Sequence, residues 1–240
     1  MTSNANDTET RDFFEKNNYF DYGKENVKFF IQGELPLLNE EGKIVLKEKG
    51  TLFMAPDGNG GIYEALRKNK ILEEMQNEGI DYLGICNVDN ILMNVLDEIF
   101  IGLMIDGNYE LATKTTTKVS PEEKIGAVCL MDGKPGVVEY TEITEEMANA
   151  TDENGDLLYG EGYFGCSIFS RKLLERITNK LHYHAAFKKN DYIMPNGEVL
   201  KAEKPNTYKF EAFIFEGFNE AKNMYLLNHL KTLADMVLKK

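Results

Sequence analysis

The sequence predicts a mixed α/β fold, a doubly wound sheet with antiparallel strands added beside it. Two observations predict it. Strand-like apolar runs alternate with helix-period segments through the first half, and short strand-like runs separated by turn residues crowd the second. In order, Glu9–Lys16 reads as a short helix, and NVKFFIQ (26–32) as a strand. Leu37–Lys49 reads as a charged hairpin turning at NEEGK, and Gly61–Asn77 as a helix carrying Ile62, Leu66, Ile71 and Met75 at helical spacing. YLGICNV (82–88) is a short apolar strand, followed by a helix over Asp97–Asp106. Further strands are expected at Tyr109–Thr117, Ile125–Met131, Gly136–Tyr140 and Tyr163–Phe169. Helices are expected at Thr144–Ala150, Arg171–Leu181 and Glu216–Lys239. The whole reads as one domain over 1–240, ending in a helical segment over 216–240.

Composition narrows the function classes. The chain has 240 residues, 42% apolar and 28% charged, which is ordinary for a globular protein. A net charge of −13 repels nucleic acid and anionic lipid, so neither is expected as a partner. An anionic small ligand then needs a local concentration of cations or backbone amides. Cys86, Cys129 and Cys166 lie far apart with no CxxC spacing, which reads as reduced, buried thiols. The polar, acidic opening MTSNANDTETRDFF has no signal-peptide pattern, and the apolar stretch Ile91–Ile105 is interrupted by Asn94, Asp97 and Glu98. A cytoplasmic protein with no membrane span is expected.

The stretch MAPDGNGG (54–61) places Pro56, Asp57, Gly58, Asn59, Gly60 and Gly61 before a helix-period run. It fits neither the P-loop nor GxGxxG, because Tyr63 stands where a third glycine belongs. By pattern it is either a tight strand-to-helix connection or a surface that an oxygen-rich ligand approaches closely. Asp89 and Asn90 follow an apolar strand, where open α/β sheets bind ligands. Asp89 is either a magnesium ligand shared with substrate phosphates or a helix cap. His182, His184 and His229 have no further ligand at useful spacing and read as structural or surface groups. Lys188, Lys189, Lys201, Lys204 and Lys209 supply the local positive charge that an anion requires.

The segments FFIQGELP (29–36), MAPDGNGG (54–61), VDNIL (88–92), IGAVC (125–129), VVEYTEI (137–143) and KPNTYKFEAFIFE (204–216), in that order, resemble the eukaryotic-type UDP-N-acetylhexosamine pyrophosphorylases of the UDP-sugar pyrophosphorylase family. The resemblance runs from about Thr10 to about Lys222. It implies a Rossmann-like nucleotide-diphospho-sugar transferase sheet. The implied reaction is uridylyl transfer, in which UTP and N-acetylglucosamine 1-phosphate give UDP-N-acetylglucosamine and pyrophosphate with Mg²⁺. By the same resemblance Gln32 and Gly58 hold the uracil base, and Asp89 carries the metal beside the phosphates. Lys209 contacts the nucleotide phosphate. Asn59, Gly126, Glu139 and Tyr140 line the sugar site, and Phe213 and Phe215 wall the N-acetyl group. On this reading a Cβ at Gly58 would hold the base away from the backbone.

Three departures qualify the resemblance. The family's LxGGxGTRLG loop, with its nearby lysine, does not occur in the 240 residues. Tyr163, in GEGYFGC (160–166), replaces a sugar-binding asparagine. The chain ends in KTLADMVLKK in place of an FxPLKN segment. The expected alternatives are therefore a fragment or silent relative that only binds a UDP-sugar or a partner chain, or a uridylyltransferase for another sugar. Association with an upstream segment, or with a second copy, is expected for a sheet lacking its first strands.

Overall fold

The computed structural model describes residues 1–90, 93–94, 96–177 and 181–229. The single domain read from the sequence divides into two compact units. One comprises 1–71 and 178–214, the other 72–177 and 215–240.

The first unit opens with α1 (Asp7–Lys16), whose Phe14 stacks edge-on against Phe29. The expected strand over 26–32 does not form. The segment is extended, but its backbone bonds go to isolated partners. Thr2 N–H donates to Phe30 O, Gln32 N–H donates to Thr2 O, and the Arg11 guanidinium donates to Phe29 O. A strand needs a continuous neighbour, and here one bridge, Thr2 with Ile31, takes its place. Then come β1 (Glu34–Pro36), β2 (Leu38–Asn39), β3 (Leu46–Glu48), β4 (Thr51–Leu52) and β5 (Met54–Pro56), with Leu37 and Val45 buried between them. β1 pairs antiparallel with β5, and the expected hairpin turn lies at 40–42.

The helix expected over 61–77 is two helices, α2 (Ile62–Lys68) and α3 (Ile71–Asn77). Asn69 ends the first by donating its side-chain amide to Ala65 O, and Lys70 takes a left-handed φ of 57°.

The second unit is built on a six-stranded sheet. Its elements are β6 (Tyr82–Cys86), α4 (Glu98–Asp106), β7 (Leu111–Thr117), β8 (Ala127–Met131), β9 (Lys134–Val138), α5 (Glu145–Asn149), β10 (Glu161–Ser170) and α6 (Arg171–Arg176). Asp97, Thr144 and Ser170 cap α4, α5 and α6 by accepting from backbone amides. The chain then supplies β11 (His184–Lys188), β12 (Tyr192–Ile193), β13 (Val199–Leu200) and β14 (Thr207–Glu211) to the first unit, where they complete two antiparallel sheets.

The expected C-terminal helix over 216–239 is corrected within the described residues. Ile214–Glu220 is a 3₁₀ turn, and Met224–His229 is β15, parallel to β7. YLLN carries strand-type residues whose partner lies more than a hundred positions upstream. Residues 230–240 lie outside the description, as do 178–180 at the end of the helix expected over 171–181.

β10 is the central strand of the principal sheet. Cys166–Ser170 pairs with β6, Gly162 pairs with β8, and both stretches pair with β7. Between Tyr163 and Ser167 the register shifts through a bulge at whose centre Gly165 has φ +84°. Every pairing in this sheet is antiparallel except β15 on β7. Phe100 and Met104 of α4 pack on Ala112 and Ile168, with Tyr109, Tyr225 and Leu227 at the margin.

The most demanding electrostatic feature is in β7, whose residues LATKTT are all buried. The Lys114 ammonium donates to Asp97 at 2.6 Å and to Asn94 O at 3.3 Å, and its side chain is 2% exposed. Asp97 caps α4 with the same carboxylate. The Lys114 ammonium beside it holds the Asp97 carboxyl below its usual range. The pair's contribution is therefore full above the ordinary Asp range, about pH 4. It is lost as pH falls through the lowered value. Asp97→Asn leaves a buried ammonium without its counter-charge, and about 3–5 kcal/mol of stability should be lost. Urea unfolding of wild type and variant at pH 7 and pH 3 checks this. The difference between them should shrink at the lower pH.

Candidate functional site

In the first unit the glycine-rich turn connects β5 to α2 through a 3₁₀ turn at Asn59–Gly61. Gly58 has φ 91° and ψ 172°, a conformation essentially restricted to glycine. A Cβ there would overlap the Ala212 carbonyl oxygen and stand 2.9 Å from Ala212 N. A Cβ at Gly60 would lie 2.7 Å from Phe213 O. Backbone therefore lies against backbone. Gly60 N–H donates to Ala212 O at 2.9 Å, and Ala212 N–H donates to Asp57 O at 2.8 Å. Asn59 Oδ1 accepts from Ile214 N–H at 2.8 Å, and the Tyr63 hydroxyl donates to Ile214 O. The requirement for glycine at 58 is thus set inside the protein, a correction to the expectation that a Cβ there would meet the base.

Gln32 and Gly58 do come together. Gln32 Nε2 lies 3.5 Å from Gly58 O and 3.4 Å from Asp57 Oδ1. Gln32 and Asp57 border a cavity of about 390 Å³ whose lining also includes Gly33, Gly61, Tyr63 and Lys68. Asp57 is buried, and burial pushes its carboxyl upward, opposed by hydrogen bonds from its own amide and from Gln32. Asp57 reads in sequence only as a turn former; its flanking glycines are the signal that a side chain occupies their missing Cβ space. Asn59 is exposed. With its carbonyl engaged by Ile214, it turns its amide donors outward.

Lys209 sits on β14, half-buried, donating to Glu211 Oε1 at 2.7 Å. Phe213 follows that strand and carries the His184 ring at 4.8 Å, with His182 against His184 at 4.9 Å. His182 and His184 thus pack as structural groups. No group of three metal-ligating side chains occurs among the described residues.

The second unit gathers another set. Gly126 is buried where β8 begins, and its carbonyl accepts from Tyr163 N–H at 2.8 Å. A Cβ at Gly126 would stand 3.4 Å from Glu139 Oε1, so backbone and carboxylate share one spot. Tyr163 lies edge-on to Phe215 at 5.9 Å and to Phe218 at 5.7 Å, its hydroxyl bonded to Ser167. Burial, with Glu139 and Cys166 adding to it, pushes that hydroxyl well above its ordinary value. Gly126, Glu139, Tyr163 and Phe215 thus cluster, while Tyr140 is exposed. Asp89 lies on the exposed turn after β6, and its carboxylate has no side-chain or backbone partner among the described residues. There Asn87 N–H donates to Gly165 O at 3.1 Å, fastening the end of β6 to the bulge. An open carboxylate suits a hard divalent cation shared with phosphates.

The glycine-rich turn, Gln32, Lys209 and the Gly126–Glu139 cluster are carried by a chain that matches the UTP–glucose-1-phosphate uridylyltransferase family over residues 1–228. The chain belongs to that family. A human UDP-N-acetylhexosamine pyrophosphorylase-like protein 1 is 40% identical over 235 residues, 96% of this chain and 46% of its own length. The UDP-N-acetylglucosamine pyrophosphorylase of Saccharomyces cerevisiae is 37% identical over 226 residues, 91% of this chain and 47% of its own. The crystal structure of the Trypanosoma brucei UDP-N-acetylglucosamine pyrophosphorylase, determined with an inhibitor, superposes with a TM-score of 0.80 at 32% identity. The match covers 95% of this chain and 46% of that one. The chain thus spans about half the length of the curated relatives it matches. The fold expected from the sequence motifs is the fold of this uridylyltransferase family.

The backbone clamp generates a stability prediction. Gly58→Ala should cost about 1–3 kcal/mol from the forced dihedral, with overpacking against Ala212 adding about as much again. Gly84→Ala, on β6 with open space around it, should stay within about 0.5 kcal/mol of wild type. Paired urea titrations of the two variants separate these outcomes.

Proposed function

We propose that the chain provides the uridine-nucleotide and sugar-binding parts of a uridylyltransferase that joins UTP and N-acetylglucosamine 1-phosphate, giving UDP-N-acetylglucosamine and pyrophosphate. The observation that carries this reading is the approach of Gln32 to Asp57 and to the Gly58 carbonyl beside a cavity of about 390 Å³ that Gln32 and Asp57 line, in a chain with relatives named for this activity. A cavity of that size is in the range of small-ligand sites.

In the proposed reaction a phosphate oxygen of the sugar phosphate attacks the α-phosphorus of UTP. A new P–O bond forms, the bond to the β-phosphate breaks, and pyrophosphate leaves with the electron pair. No covalent enzyme intermediate is needed, so the protein's work is positioning and charge neutralisation. Gln32 and the backbone at Gly58 orient the base. In the first unit Asn59 offers its side-chain amide to the sugar, and in the second unit Gly126, Glu139 and Tyr140 offer donors and acceptors to it. Phe213 and Phe215 offer apolar walls for the N-acetyl group. Lys209 exchanges Glu211 for a nucleotide phosphate. Asp89 would hold Mg²⁺ together with substrate phosphates, and the ion would supply neutralisation of phosphate charge.

A second reading rests on Tyr163. Its ring packs edge-on against Phe215, with Glu139 near its hydroxyl, and a bulky aromatic where the resemblance has an asparagine favours a smaller sugar 1-phosphate than N-acetylglucosamine 1-phosphate. Tyr163→Asn should then raise use of the N-acetylated substrate relative to glucose 1-phosphate.

The test is pyrophosphate release from UTP with each sugar 1-phosphate, beside calorimetry with UDP-N-acetylglucosamine and ADP-glucose. The uridine nucleotide should bind more tightly. Lys209→Ala should lower turnover by about 10²-fold or more, and Asn59→Ala should weaken the sugar nucleotide more than UDP. Equal binding of the adenine nucleotide removes the base-pocket assignment. Uridine-selective binding without turnover leaves a binding protein.

A further inference from the structure

The unexplained feature of the base pocket is the buried carboxylate of Asp57. Its residue is 8% exposed and carries no ion pair among the described residues. It occupies a slot from which both neighbours have withdrawn their side chains. A Cβ at Gly33 or at Gly61 would overlap the Asp57 carboxylate itself. Its backbone is pinned on both sides, by Asp57 N–H to Gly33 O at 3.1 Å and by Ala212 N–H to Asp57 O at 2.8 Å. A carboxylate built into so narrow a place has one orientation to offer.

What it faces is the Gln32 amide. Gln32 Nε2 has two acceptors within reach, Asp57 Oδ1 at 3.4 Å and Gly58 O at 3.5 Å. Neither can donate in return: an ionised carboxylate and a carbonyl are acceptors only. The amide nitrogen therefore faces these two acceptors. An amide turned over would set its oxygen against two acceptors and leave its donors unmatched. Gln32 is left with one functional group for a ligand, the carbonyl oxygen Oε1.

We propose that Asp57 is a positioning residue which locks the Gln32 amide so that the pocket accepts a pyrimidine with a ring N–H. The inference rests on the uridine-nucleotide reading above. Uracil presents N3–H, which Oε1 accepts. Cytosine presents a bare N3 lone pair, which Oε1 repels. Gln32 alone, free to turn, would serve either base by exchanging its oxygen for its amide. Base discrimination is then a property of the pair Asp57–Gln32, and the immobile carboxylate sets its sign.

Calorimetry of the 240-residue chain with UDP and with CDP, beside thermal melts of each variant, tests this. Wild type should prefer UDP by about 10- to 100-fold, the range for one mismatched hydrogen-bond pair. Asp57→Asn offers both a donor and an acceptor to Gln32, and the preference should fall by about tenfold, chiefly through tighter CDP binding. Gln32→Glu on the Asp57→Asn background reverses the internal pair. The amide introduced at position 57 then donates to the carboxylate introduced at position 32, which remains an acceptor toward the ligand, so preference for UDP should return. A purely structural role for Asp57 would not be rescued by a change at Gln32. Unchanged preference in Asp57→Asn, or no recovery in the double variant, overturns the lock and leaves the uridine reading standing. A wild-type chain that binds UDP and CDP alike, or neither, overturns the reading and the lock with it. Where Asp57→Asn alone melts below the assay temperature, the double variant decides: UDP preference supports the lock and its absence overturns it.

Discussion

Within the first unit, the contact between backbone at 57–60 and backbone at 212–214 is the constraint on which the local structure depends. Asn59 and Ile214 are 155 positions apart in sequence, yet they share a hydrogen bond of 2.8 Å. Closing a loop of that length costs entropy that grows only slowly with its size, so several buried backbone bonds suffice to hold it. The cost falls on composition instead. Gly58 and Gly60 cannot carry a Cβ, and Gly33 and Gly61 give up theirs to Asp57. Once the clamp is shut, the position of Gln32 against Gly58 follows, and α2 leaves the turn with Tyr63 already bonded to Ile214.

Much of this was legible in the sequence, unevenly. The run PDGNGG read as a tight connection or as a ligand surface, and both descriptions hold, because the turn packs on backbone with one side and borders a cavity with the other. Which glycine faced what was not legible, since the opposing Ala212 belongs to a distant segment. α1, α4, β6, β7, β8 and β10 stood near their expected places because their own periodicity specifies them. The misses share a cause. NVKFFIQ has strand composition but lacks a ladder partner, and YLLNH has one in β7 that no local pattern announces. Lys70 breaks a helix that apolar spacing alone would continue.

In the second unit the same tension between polarity and burial is resolved by pairing. LATKTT is polar for a buried strand, yet β7 is covered on both flanks by β15 and β10. Thr113 bonds to Cys166 O and shares a hydrogen bond with Ser167, and Lys114 is neutralised by Asp97. Among the described residues, Thr115 and Thr116 keep buried hydroxyl oxygens without a partner. A strand so polar inside a sheet contributes less through burial of hydrocarbon than an aliphatic one would. It binds its neighbours through directional contacts whose loss is expensive.

The bulge at 164–166 has a consequence for how this sheet tolerates change in length. Side chains alternate along a strand, so a register slip of one residue reverses every face beyond it. In β10 that reversal would carry Tyr163 away from Phe215 while leaving Ser167 and the pairing with β6 intact. Gly165, at φ +84°, lies in the two extra residues that β10 carries against β7 between its two stretches, which keep the same phase. The strand therefore behaves as two separately indexed segments joined by a phase adjuster. Insertions or deletions of single residues there would convert a change in length into a change in which side chains of 161–163 face the cluster around Glu139.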